Sequence, residues 1–330
     1  MLKLHFFDPA QEQQPQKTIY RVANWAEYNQ SLIQRGSLML WIDQQAITEW
    51  YHNGINKLGG LYRYSDACIR CALSLKAVLK LAFRQTQGLI QSLLTIMKID
   101  LKVPSYTQLC RRQAQLSTDI KPLLFSVQGD EGLHIVVDST DLKVYGEGEW
   151  KVRKHGASKR RVWRKLHLAD DVATRMIEAV ELTTNSITDA QAVEPLLDQI
   201  TASISTFGGD GAYDQLQVYD ALQERTITPI IPPRSNAIVW TDEAGVDLEH
   251  PRNEALKVID ELGFWGWKQH SRYHQRSLAE TLMFRWKSTF GERLQSRKLT
   301  NQQYEVRIKA ACLNRFTQLG RPRTVRKKLT

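Results

Sequence analysis

The chain has 330 residues, 42% of them hydrophobic, which suffices for two domains or one large domain with additions. Its net charge is +10 at pH 7, so an acidic partner is expected. No run of 18 apolar residues occurs, so no membrane span is expected, and four cysteines (Cys68, Cys71, Cys110, Cys312) are too few for a disulfide scaffold and fit a reducing cytoplasm. The first residues, MLKLHFFDPAQEQQPQ, hold a short apolar patch broken by an acid and glutamines. That pattern is no signal peptide and predicts a flexible arm over 1–17.

Residues 18–130 read as an all-α region. Trp25, Tyr28, Leu32, Trp41, Ile47 and Trp50 are spaced as short amphipathic helices with a turn at Arg35-Gly36-Ser37. Beyond Gly59-Gly60, Ser65-Asp66 is an N-cap for a helix predicted to reach about Arg84. Cys68-x2-Cys71 lies in its apolar pattern with no second close Cys or His pair, so buried small side chains are expected there rather than zinc. Two helices follow over 87–116, separated by a turn from Asp100 to Pro104 and capped by Ser105 or Thr107. A helix, a tight turn and a second helix carrying Gln108, Arg111 and Arg112 form a helix-turn-helix-like, DNA-binding layout, with a plain helical hairpin as the alternative.

The pattern changes near Glu131. LHIVVD (133–138), RKLHLADD (164–171) and MIEAVELTT (176–184) read as three strands. A helix (188–200), a strand (203–210), a helix (213–225) and a strand end at TPIIPP follow. Three strands and then helix–strand–helix predict an α/β unit over 131–320, an RNase H-like core with a mixed sheet flanked by helices. Residues 233–268 have a weaker pattern, with a helix near 254–262. Residues 301–320 are a last amphipathic helix, and 321–330 a basic tail.

Tyr273 to Lys287, YHQRSLAETLMFRWK, reads as one helix without Gly or Pro. Tyr273, Arg276, Glu280 and Lys287 fall within an arc of roughly 60° at about 100° per residue. A solvated face is the ordinary reading of such a helix. A lone carboxylate among cations is also what a metal-dependent phosphoryl-transfer site needs beside DNA. Asp138 is predicted to end the first strand, and Asp210 ends a later one in GDGAYD, where glycines allow close approach of a phosphate backbone. Each alone is more often a turn residue. Asp141, Asp170, Asp171 and Asp214 are rivals by residue type.

The spacing Tyr273-x2-Arg276-x3-Glu280-x6-Lys287 resembles the Y-x2-R-x3-E-x6-K signature of bacterial insertion-sequence transposases of the DDE type. NWxxYN near residue 24, YSDxxI near 64, VPSYTQLCRR near 103, EWKVRKHG at 149–156, RSLAE at 276–280 and LNRFTQLGRP at 313–322 are similar to the insertion-sequence-five family. The family has a Gly next to the signature Tyr, whereas this chain has Gln269-His270-Ser271-Arg272 there. The resemblance implies that Asp138, Asp210 and Glu280 are catalytic and hold two Mg²⁺ ions, with Mn²⁺ able to substitute. It implies that Tyr273, Arg276 and Lys287 bind phosphates. It also implies a transposase that hydrolyses DNA at its element's terminal repeats and joins the 3′ ends to target DNA. A homo-oligomer on DNA and a bacterial, nucleoid-associated location go with that expectation.

The run WKVRKHGASKRRVWRKLH carries Lys151, Arg153, Lys154, Lys159, Arg160, Arg161, Arg164 and Lys165 with no acid. Eight cations repel one another unless a polyanion joins them, which favours a DNA-lining surface over a solvated hairpin. Trp150, Trp163, Trp265 and Trp267 are expected mainly in packing, with base stacking as the other use. Two alternatives stay open: a structure-specific nuclease on the same fold, and a catalytically idle DNA-binding regulator.

Overall fold

Strand β2 (Leu133–Val144) is the axis of a mixed sheet. In this computed structural model, which describes residues 20–42, 44–54, 63–116, 132–144 and 163–326, β2 pairs antiparallel with β3 (Trp163–Asp171). β3 pairs antiparallel with β4 (Ile177–Thr184). On its other side β2 runs parallel to β5 (Ile204–Gly208), and β5 parallel to β6 (Thr228–Ile230). The order β4-β3-β2-β5-β6, a three-stranded meander followed by two parallel strands reached through helices, is the RNase H-like arrangement.

The expectation that Asp138 ends its strand is corrected. β2 continues through polar residues because β3 stays paired with it as far as Lys143 opposite Trp163, so the backbone groups remain satisfied. The short strand β7 (Arg293–Leu294) then pairs with Lys143 and Val144.

Side chains alternate across the sheet, so β2 feeds two cores. Ile135, Val137, Ala169, Ala179 and Phe207 pack with helices α6 (Val193–Leu197) and α7 (Leu216–Gln223). Leu142, Leu166, Leu168, Val180 and Leu182 pack on the opposite face with α9 (Ser277–Phe290) and α10 (Leu299–Leu319).

The N-terminal helices are α1 (Trp25–Arg35), α2 (Gln44–Thr48), α3 (Asp66–Val78), α4 (Phe83–Ile96) and α5 (Tyr106–Gln113). Ser65 caps α3 and Ser105 caps α5, as their residue types imply. The helix expected to run to Arg84 is two: α3 stops at Val78, Lys80 takes a left-handed φ of 54°, and α4 starts at Phe83. Cys68 and Cys71 are buried on α3. Trp41, Leu73, Leu75, Ile90 and Leu109 join the same core as Leu282, Trp286 and Phe316, so the all-α region and one face of the sheet share their packing.

The two ends of the described chain meet. β1 (Tyr20–Val22) pairs with β8 (Thr324–Arg326), a strand within the stretch expected as a basic tail. Asn24 holds the pair from both sides: its amide donates to the Arg321 carbonyl at 3.1 Å and accepts from the Arg323 N–H at 2.7 Å. Gly320 has φ 148° and approaches Ser31 so closely that a Cβ would lie 2.9 Å from it, which is why glycine stands here.

Candidate active site

The parallel register of β2 and β5 sets the first half of the site. His134 faces Thr206, Ile135 faces Phe207 and Val136 faces Gly208, an offset of 72 residues. Asp138 and Asp210 are separated by the same number, so they lie side by side where β5 ends. Gly209 makes the turn possible: a Cβ there would sit 2.7 Å from the Tyr213 ring. Asp210 then caps a short 3-10 turn, accepting from the Ala212 N–H at 2.9 Å. One oxygen of each aspartate is engaged with backbone, since Asp138 accepts from the Ser139 N–H at 2.9 Å.

Helix α9 brings the third acid. Leu282, Met283, Trp286 and Phe290 are buried against the sheet and anchor it. Truncating one such side chain, for example Trp286 to Ala, costs about 3–5 kcal/mol. Glu280 is on the opposite, open face, 57% exposed. Arg276 stands at the head of α9. Its Nη1 is 2.6 Å from Glu280 Oε1, and its Nη2 is 3.4 Å from Asp210 Oδ2 and 3.8 Å from Asp138 Oδ1. The three carboxylates thus gather around one cation.

The reading of Tyr273–Lys287 as one continuous α-helix is corrected. Tyr273–Arg276 form a 3-10 turn, and the α-helix begins at Ser277. The cause is Arg272, left-handed at φ 58° and ψ 27°, which bends the chain between α8 (Pro251–His270) and α9. Arg272 immediately precedes Tyr273, beside which the resemblance leads one to expect glycine. Helix α8, expected near 254–262, runs longer and is broken at Gly263 with φ 72°. Tyr273 packs on Trp267 with ring centroids 5.3 Å apart. Lys287 lies 3.8 Å from Glu292, away from the acids.

Burial raises the Asp138 carboxyl above the usual range. The Ser139 N–H and Arg276 pull it back down, while Asp210 and Glu280 push it up. Burial likewise raises the Tyr273 phenol. Three hard oxygen donors of one sign suit a divalent ion of the Mg²⁺ type. Among the described residues no three acidic, His or Cys side chains close on a common point at ligand spacing. The triad fits a metal by donor chemistry, and the Arg276 guanidinium competes for the same oxygens.

The rival acids have other work. Asp214 is buried, 2.8 Å from Arg252 Nε, and also accepts from Tyr219 and from the Arg234 N–H. Asp171 ties the β3–β4 turn, accepting from Thr174 and from the His134 N–H. Asp170 is wholly buried, 3.5 Å from Arg175, and burial lifts its carboxyl to about 7. Asp141 is exposed on β2, opposite Lys165.

Lys151, Arg153, Lys154, Arg160 and Arg161, with Lys159 and Trp150, lie outside the described residues. Arg164 donates to Gln302 at 3.1 Å and Lys165 lies 3.3 Å from Asp189. On α5, Gln108 accepts from the Ser105 N–H in a capping box, and Arg112 binds the Tyr64 carbonyl and Asp66, so both are engaged within the fold. Arg111 is exposed. Trp267 is buried and Trp265 is 41% exposed.

Sequence reading missed Arg175. It sits in the β3–β4 turn at φ 62° and donates to the Leu278 carbonyl at 2.8 Å, tying the first turn of α9 to the sheet. Nothing in a lone Arg between Thr174 and Met176 announces that reach.

Two family models match the chain, each described as a transposase DDE domain, one over residues 33–147 and one over residues 129–315. The second span contains Asp138, Asp210, Arg276 and Glu280. Among solved structures, the cryo-EM structure of a piggyBac transposase synaptic complex with hairpin DNA is similar over 86% of this chain and 75% of that one, at 12% identity and a TM-score of 0.37.

Proposed function

This chain belongs to the DDE transposases, and from that premise we propose that it binds the terminal inverted repeats of its own insertion sequence, hydrolyses the ends and joins the 3′ ends to target DNA. The observation that carries the proposal is the meeting of Asp138, Asp210 and Glu280 around one cationic group, inside the span matched as a DDE domain. The assignment to the insertion-sequence-five group rests on the motifs alone.

DDE transposases use divalent metal ions, and we assign two Mg²⁺, replaceable by Mn²⁺, to the three carboxylates. When bound, such ions supply an activated water and stabilise the leaving oxygen. The protein's own part is positioning. β2 and the β5 turn hold two carboxylates rigidly, and α9 offers the third from its open face. Arg276 yields its place among the oxygens and turns to a phosphate, with Tyr273 and Lys287 as further phosphate contacts. The basic run 150–167 and Arg111 are assigned to DNA, and a homo-oligomer forms on it. Action on chromosomal DNA would place the protein in the bacterial cytoplasm, at the nucleoid.

The test is incubation of the full chain with a duplex copied from the DNA flanking its gene, a supercoiled target plasmid and Mg²⁺. Cleaved ends joined to plasmid are expected. Cleavage without joining would favour the nuclease reading, and binding without cleavage the regulator reading.

A further inference from the structure

Helix α9 turns a narrow stripe to solvent: Ser277, Glu280, Thr281, Phe284 and Ser288. Four of these are small or charged polar groups. The fifth is a phenyl ring, 72% exposed. One exposed aromatic is ordinary on a protein surface. Its position here is not. Phe284 follows Glu280 by four residues, one helical turn or about 5.4 Å along the same face, and precedes Lys287 by three. The neighbouring Arg285 turns inward to Thr317, and Trp286 is buried, so Phe284 is the large side chain that α9 presents one turn beyond Glu280.

We propose that Phe284 is a substrate-binding residue, the platform on which a nucleobase adjacent to the scissile phosphate stacks. The inference rests on the reading of Glu280 as part of the catalytic triad. A strand that runs along α9 from a phosphodiester held at Glu280 would bring its neighbouring nucleotide to the next turn, because bases along a strand are about 3.4 Å apart and the turn is about 5.4 Å long. The side chain met there is Phe284. Every base has a π-face, so such a contact holds any base and suits an enzyme whose flanking DNA differs at each insertion. The contact requires a base splayed out of its stack, which ties stacking to cleavage-competent DNA rather than to duplex at large.

The experiment uses the full chain in a Glu280→Gln background, expected to hold DNA without cutting it, and a duplex copied from the DNA flanking the gene. 5-Iodouracil is placed singly at each nucleotide around the cut, the sample is irradiated, and cross-linked peptides are mapped. Cross-linking to Phe284 at a position next to the cut is expected. In parallel, Phe284→Ala should weaken end binding about tenfold or more, Phe284→Trp should restore it, and Phe284→Leu should not. Folding is not at issue, since the side chain is exposed. Equal binding by the Ala and native side chains, or full rescue by Leu, overturns the stacking assignment. A change of oligomeric state without any cross-link also overturns it and makes Phe284 a contact between subunits. A native chain that binds no end DNA overturns the transposase reading itself, and this assignment falls with it.

Discussion

Arg276 and Glu280 form an ion pair of 2.6 Å one turn apart, and the same guanidinium reaches Asp210 and Asp138. A single cation therefore balances three acids drawn from the middle of β2, the turn after β5 and a helix. Salt bridges this exposed contribute little to stability by themselves. The value of the pair is that it fixes where the carboxylates converge.

Arg276→Ala and Lys287→Ala should each weaken binding to cleaved ends and flatten its salt dependence. The expected change is about one unit of log–log slope for each phosphate that is no longer held. Slopes unchanged in both variants would assign Arg276 to its pairs with the three acids, and Lys287 to its pair with Glu292, with no phosphate contact.

Arg272 pays for its left-handed conformation. The αL region costs a non-glycine residue roughly 1–2 kcal/mol, and glycine's extra chain entropy offsets roughly half of that. Arg272→Gly should therefore raise stability by about 0.5–1 kcal/mol in urea unfolding. A loss of stability would mean that the Arg272 side chain makes a contact worth more than the strain.

Asp214 separates a structural acid from the catalytic ones. Its pair with Arg252 is buried on both sides, so Asp214→Ala leaves an unpaired buried cation and should cost about 3–5 kcal/mol. Asp210→Ala removes only the cap of a short 3-10 turn and should cost about 1 kcal/mol. Thermal unfolding of the two variants side by side checks this, and equal stability would show that Asp214 is not the structural acid.

Two buried groups give opposed pH dependences. Asp170 has its carboxyl raised to about 7 by burial, so the folded state holds its proton longer than the unfolded chain does. Its contribution to stability is present at about pH 4 and is lost as pH rises toward 7, on the order of 4 kcal/mol. His167 is lowered to about 4 by burial and is neutral in the fold, so its contribution is present above about 6.5 and lost as pH falls toward 4. In the native chain the two slopes oppose each other. Asp170→Asn should leave the His167 slope alone, with stability rising between pH 4 and 6.5 in urea titrations. An unchanged pH profile would show that Asp170 titrates normally.

Much of the fold was legible in the sequence, for identifiable reasons. Short β-branched runs such as LHIVVD located β2, β3 and β4, and Ser65 and Ser105 marked helix starts through their capping oxygens. The equal 72-residue spacing of Asp138 and Asp210 became meaningful only once the β2–β5 register was known. Ser139, Thr140, Asp141 and Lys143 hid the second half of β2, because ladder pairing keeps the segment extended with Leu142 as its one buried apolar side chain. The 3-10 turn at Tyr273–Arg276 was hidden for another reason: helical propensity is blind to the αL residue that precedes it. The clasp of Asn24 with Arg321 and Arg323 joins residues nearly 300 apart and left no local signal.

Whether Asp138, Asp210 and Glu280 act as one catalytic set is decided by single-turnover cleavage of end DNA in Mg²⁺. The variants are Asp138→Asn, Asp210→Asn and Glu280→Gln, each checked for end binding. Every one of the three should lose cleavage while end binding stays near the native level, because metal ligands act on chemistry and phosphate contacts on affinity. Cleavage at the native rate by any one of them would contradict the assignment of that carboxylate to the set.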